Sequence, residues 1–298
     1  MANLKFKFDE SFDDKIMAVG GWIANDLEWS RLEGAWQRCI DSENERSDPN
    51  QQITRFHATE MNCQSGEFAN WDKKKRIRLS RKLINRLADR IIGGVAVGCE
   101  MEAIQQVWPR GDKTKLKQNT YVVCMKHLMV EIAHILEEYF PGDTVSLIHD
   151  HGSWNKQTLA GYNLMVSDID WKYKELFKGI TPMRGSDPSA VGLQAADLLA
   201  YEVFKGIKAK TISEDAEVRA VMQTFIDREI PPAGSLDQSE GSTSALPNNE
   251  RIRQVPPDRR DGPSLIFNLQ CHKESFPSLP SQHSFQNRSR QLHTVHNH

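Results

Sequence analysis

Leu4, Phe6 and Phe8 alternate with Lys5 and Lys7, and this period of two commits the N-terminus to a strand with one buried face. The strand is read as ending in Asp9-Glu10-Ser11, and Phe12-Asp13-Asp14-Lys15 has the composition of a turn. The apolar run Ile16 to Ala24 then returns as the second strand of a hairpin. Gly20 and Gly21 inside it imply a bulge or a close neighbour. An apolar hairpin face needs a second layer to cover it, and the sequence that follows is rich in amphipathic helix.

Asn25, with Glu28 three residues on, opens a helix whose Trp29, Leu32, Trp36 and Ile40 share a face. Ser42 to Gln52 is a polar loop, and Ile53 to Met61 is irregular. A basic helix is predicted from about Asp72 to Arg90, with Ile77, Ile84, Leu87 and Ile91 inward, followed by a strand over Ile91 to Met101. Lys117 to Tyr139 reads as a long helix with Tyr121, Met125, Leu128, Ile132 and Ile135 inward. Pro141-Gly142-Asp143 stops it, and Thr144 to His149 is a short apolar strand of the kind buried in parallel sheets. A short helix within Trp154 to Val166, a weak strand near Leu176 to Pro182 and a helix over Gly192 to Ile207 complete the pattern. Hairpin first, then helix and strand in alternation, is the order of an α/β domain with a mixed sheet and helices packed on it.

Composition divides the chain. Residues 1–228 carry the periodic pattern. Residues 229–298 are Pro, Ser, Gln, Asn and His with few large aliphatics, the signature of a low-complexity, disordered tail. The formal net charge of −2 advertises no polyanionic partner, so nucleic-acid binding has to rest on local patches. Five widely spaced cysteines without a C-x-x-C pair argue against a disulfide framework or a structural zinc site and for reduced thiols. With no apolar leader in Met1 to Lys7 and no run near the ~20 residues of a membrane span, the expectation is a soluble, cytoplasmic protein.

Three carboxylates stand out. Asp9 closes the first strand and Asp150 the strand after the long helix, and ligands of open α/β sheets bind outside the carboxyl ends of strands. Were those strands neighbours, the two charges at ~4 Å would repel by about 4 kcal/mol at an effective dielectric near 20. A hard divalent cation, Mg2+ or Mn2+, would turn that penalty into binding. Asp197 lies on the late helix, where Gln194, Asp197 and Tyr201 share a face beside the apolar Leu193, Ala196, Ala200 and Phe204. Each aspartate alone has a plainer reading: a turn former at Asp9, a turn former or cap at Asp150, a surface residue at Asp197.

In combination the chain resembles the family known as domain of unknown function 3800. The resembling pieces are Phe8-Asp9-Glu10-Ser11, Phe56-His57-Ala58-Thr59-Glu60-Met61, Ile148-His149-Asp150, and Ser189 through Gly192-Leu193-Gln194-Ala195-Ala196-Asp197, spread over residues 4–208. The resemblance implies a ribonuclease H-like fold and a metal-dependent nuclease site. It assigns Asp9, Asp150 and Asp197 as metal ligands and catalytic carboxylates, with Gln194 as companion to Asp197. Glu60 is a further catalytic candidate from a loop. Glu10 matches the first motif as a supporting residue, although strand alternation sends it to the face opposite Asp9.

Lys74, Lys75, Arg78, Arg81 and Lys82 on the basic helix form the candidate nucleic-acid-binding patch, against the plainer reading of a solvated face. His149 and His151 flank Asp150, and His151 is a candidate proton shuttle; His57 has the same standing. The five histidines from His272 to His298 imply adventitious metal binding at most. The sequence therefore points to phosphodiester hydrolysis by a carboxylate-bound metal centre. The alternative is a catalytically silent ribonuclease H-like module that binds nucleic acid or protein.

Overall fold

The computed structural model describes residues 2–107, 112–185, 187, 190–212, 221 and 223, and the backbone of 264–268. The alternating N-terminus forms β1 (Asn3–Phe12), three residues longer than Asp9, and β2 (Ile16–Ala24) returns antiparallel to it. The β1–β2 register is continuous through Asp9↔Gly20 and Phe8↔Gly21, so the two glycines mark close neighbours and not a bulge. A Cβ at Gly20 would stand 3.3 Å from Leu199 Cγ and 3.4 Å from the Ala200 backbone nitrogen, which shows how closely a helix lies on the sheet there.

α1 (Asp26–Asn44) starts where Asn25 accepts a hydrogen bond from the Glu28 N–H at 2.9 Å. Glu28 itself pairs with Arg31 and does not return to the cap. Two short helices were not legible in the sequence: α2 (Ala58–Cys63), inside the irregular segment, and α4 (Met101–Val107), directly after β3 (Gly93–Glu100). The basic helix is α3 (Lys73–Ala88), capped by Asp72 through the Lys75 N–H at 2.7 Å. It buries Leu79, Leu83, Ile84 and Leu87, whereas Ile77 is only half-buried. The long helix α5 (Lys113–Tyr139) begins four residues earlier than its apolar pattern, because Asp112 caps it, and it buries all five anticipated residues.

β4 (Thr144–Asp150) runs parallel to β1, α6 (Asn155–Val166) follows, and β5 (Phe177–Met183) runs parallel to β4. β3 pairs antiparallel with β2, and β6 (Ser264–Asn268), within the segment read as a tail, adds a parallel edge strand to β3. The sheet order is β5-β4-β1-β2-β3-β6. The rest of residues 229–298, with the five terminal histidines and Cys271, lies outside the described residues, as does Ser189.

Two apolar layers cover the sheet. Leu4, Phe6 and Phe8 of β1 join α5 and α6 on one face. On the other, α7 (Val191–Ile212) lies against β1, β2 and β3 with α1, α2 and α3 outside it. α7 is therefore a central helix, buried on nearly every side from Val191 to Phe204, and not a surface helix with one apolar stripe. Among the described residues no helix is long and apolar enough to cross a membrane.

Candidate active site

Strand alternation places Asp9 opposite the Phe8 face, on the side of α7. Its neighbour Lys7 marks that side: its ammonium pairs with Glu33 at 2.9 Å and sits 4.7 Å from the Trp29 ring centre, with its stem against Gly192 of α7. Asp9 is not at the strand end, because β1 continues to Phe12 against β2. It is, however, where the parallel pairing stops. The β1–β4 register ends at Phe8↔His149, and one further step sets Asp9 beside Asp150, the last residue of β4. Residues in register on parallel strands share a face. Phe8 and His149 stack on the α5 side, with ring centres 5.8 Å apart, which leaves both aspartates on the α7 side.

Asp197 reaches the same edge from α7. It is 8% exposed, so the surface reading is excluded, and its carboxylate accepts the Ala58 N–H at 2.8 Å. One turn earlier, Gln194 Oε1 accepts the Phe56 N–H at 2.9 Å and the Trp36 indole N–H at 3.1 Å. The segment before α2 is thus clamped to α7 by two side chains at i and i+3, and Phe56 anchors it edge-on against Trp36 and Phe68. This clamp carries Arg55 and His57, whose charges both favour ionised Asp197. A Cβ built at Gly185, after β5, would lie 3.6 Å from Asp150 Oδ1 and 4.0 Å from Arg55 Nη1, so the guanidinium borders the same recess as Asp150.

Glu10 alternates with Asp9 onto the α5 side, where Phe12, two residues on, meets Trp154, yet it keeps contact with Asp9. Its backbone N–H donates to Asp9 Oδ1 at 2.9 Å, and its carboxyl group is hydrogen-bonded to that of Asp9 within the field of Asp150 and Asp197. From the α5 side the buried Tyr121 hydroxyl also feels Glu10 and is held by Thr158 at 2.9 Å.

Four carboxyl groups therefore gather where the parallel pairing of β1 and β4 stops. Burial, foremost, and then the charges of Glu10, Asp197 and Asp150 push Asp9 well above the ordinary carboxylate range. Burial and the charges of Asp150 and Asp197 lift Glu10 to about 7, against the hydrogen bond with Asp9. Asp197 is raised by burial and Asp150, opposed by His57, the Ala58 N–H and Arg55. As the side chains stand, no three His, Cys, Asp or Glu among the described residues form a ready metal cage.

The remaining candidates fall elsewhere. Glu60, on α2, lays its carboxylate over Gly66 in its own helix–turn segment (Gly66 has φ +53°) and is not brought to the aspartates. His149 is a core residue stacked on Phe8, its pKa lowered chiefly by burial, and His151 lies exposed beyond β4 with its backbone N–H on Met183. Of the basic patch, Lys75 is buried with its ammonium 3.9 Å from the Trp71 ring centre, while Arg78 (2.6 Å) and Lys82 (2.5 Å) both hold the wholly buried Glu43 of α1. Lys74 and Arg81 remain exposed. α3 packs on α1, outside α7, so these cations belong to an outer layer. Sequence reasoning passed over Arg55, although it stands next to the quoted Phe56-His57 motif. No known protein family and no curated protein matches the chain.

Proposed function

We propose that the chain is a divalent-metal-dependent nuclease with a ribonuclease H-like arrangement, in keeping with its resemblance to the domain of unknown function 3800. The observation that carries this reading is the convergence of Asp9, Glu10, Asp150 and Asp197 where the parallel pairing of β1 and β4 stops. Such a group is unfavourable in isolation, since burial and mutual repulsion raise three of its members. An all-oxygen, multiply charged donor set of this kind fits Mg2+ or Mn2+. Asp9, Asp150 and Asp197 would hold the cation, with Glu10 in place of the distant Glu60. The cation supplies Lewis acidity and charge neutralisation for phosphodiester hydrolysis. The chain's own residues then orient and bind. The Ala58 N–H and the Gln194 clamp fix Asp197, and Arg55 offers a guanidinium suited to a phosphate at the rim.

A second reading has its own support. Asp197 and Gln194 already serve as backbone acceptors, a structural role that a silent nucleic-acid or protein binding module would retain. Cleavage of DNA and RNA by the purified chain, with and without Mn2+ or Mg2+, separates the two. Metal-dependent cleavage abolished by Asp9→Asn and by Asp150→Asn establishes the nuclease. Metal binding without cleavage of any substrate favours the module, and absence of metal binding in calorimetry refutes the metal centre.

A further inference from the structure

On the α5 side of the sheet, the face opposite Asp9 and Asp150, stand three aromatic rings in file, and the hydroxyl of the innermost, Tyr121, lies within the field of Glu10 and Asp9. Trp154 stacks on buried Tyr121 with ring centres 4.9 Å apart and planes 10° from parallel, and Phe12 meets Trp154 edge-on at 5.2 Å. Phe12 ends β1 two residues after Glu10, and Trp154, four residues after Asp150, directly precedes α6. Phe12 is nevertheless 39% exposed. More than a third of this apolar ring, in the last position of the strand, is thus left in water.

The turn that presents Phe12 is pinned. Asp13 Oδ1 accepts the N–H groups of Lys15 (2.8 Å) and Ile16 (3.0 Å), and its other oxygen pairs with Lys208 of α7 at 2.7 Å. Asp14 pairs with Lys117 of α5 at 2.7 Å, which leaves the Lys117 ammonium 5.6 Å from the Phe12 ring centre. The ring is thus held in place, bordered by the Lys117 ammonium and three residues along β1 from Asp9.

We propose that Phe12, backed by Trp154, is a stacking platform for an unpaired nucleobase, so that the substrate of this site is single-stranded nucleic acid. The proposal rests on the nuclease reading for the chemistry next door, but the platform itself is a binding feature. A base offers its face to a protein ring only when it is unstacked, which a duplex does not allow without disruption. The bordering Lys117 ammonium suits a phosphate next to such a base.

The test is fluorescence anisotropy with labelled oligothymidylate and oligouridylate and with a duplex. It uses the full chain carrying Asp150→Asn, so that cleavage does not consume the probe. Phe12→Ala should weaken single-strand binding about 5- to 150-fold, the range for loss of one stacked base, while Phe12→Trp retains it. The duplex should bind more weakly and respond little to either change, and the DNA and RNA arms tell which strand is preferred. Equal single-strand affinity of Phe12→Ala and its parent overturns the platform, as does failure of the parent to bind any single strand. Either result leaves the nuclease to be decided by cleavage assays. Weakened binding by Phe12→Ala in a chain that never cleaves would support the platform and refute the nuclease.

Discussion

Acidification should stabilise this protein when metal is withheld, and Glu10 should account for a measurable share. Its carboxyl group ordinarily titrates at 4.5 and is lifted to about 7 in the fold. A raised carboxylate means that the folded chain keeps a proton that the unfolded chain has released. The associated stability is fully present below about pH 4.5 and is lost as the pH rises through about 7. A gap of about 2.5 pH units at roughly 1.4 kcal/mol each corresponds to about 3.5 kcal/mol in full, of which about 2.5 kcal/mol is gained between about pH 8 and about pH 5. For a domain of this size the share of Glu10 is a rise in Tm of about 5–10 °C on going from about pH 8 to about pH 5. Asp9 and Asp197 act in the same direction. Thermal unfolding in EDTA over that range, for the parent and Glu10→Gln, isolates the contribution: the variant should show a shallower pH dependence and a higher Tm at the alkaline end. A divalent cation at a hundred times its Kd should then stabilise the parent by about 2.7 kcal/mol at alkaline pH, and less at acid pH where protons compete. Identical pH profiles for parent and Glu10→Gln would refute the premise that this carboxyl shares a repulsive site.

Other substitutions test the framework. Gln194→Ala removes the acceptor of the Phe56 and Trp36 N–H groups, and two unsatisfied part-buried donors should cost about 2–5 kcal/mol in urea unfolding, with faster hydrogen exchange at Phe56. Glu43→Gln keeps the shape but loses the charge held by Arg78 and Lys82. Those side chains are partly exposed, so the loss should be only about 1–2 kcal/mol by denaturant titration near neutral pH. Burial opposes ionisation of Glu43, yet Arg78 and Lys82 hold its pKa below the ordinary value. The advantage of the parent over Glu43→Gln should therefore vanish as the pH falls through the acid range below about 4.5. Gly20→Val would drive a branched side chain against Ala96 and Leu199; a loss of about 1–3 kcal/mol is expected, and metal affinity measured by calorimetry should fall as α7 carries Asp197 away.

What the residues determine locally was legible without a structure. Period-two alternation in Leu4, Phe6 and Phe8, the inward face of Tyr121 to Ile135 and the Asn25 and Asp72 helix starts depend on neighbours a few positions away. The elements they announce stand where their periodicity puts them. Asp150 at a strand end was local in the same sense. Partnership across the sheet was not. That β4 lies parallel beside β1, with Asp150 one step past the last pair, depends on a contact between residues about 140 positions apart, and no local pattern encodes it. Burial of Asp197 follows from α7 being covered by helices as well as by the sheet, so an aspartate between apolar residues became a clamp and a site member. Tertiary structure also withdrew candidates. Lys75, Arg78 and Lys82 look free in sequence, but Trp71 and the buried Glu43 engage them, and Glu60 folds back over Gly66. Periodicity tells which way a side chain leaves its own element; only packing decides what it meets there, and the chemistry of this site lies in that meeting.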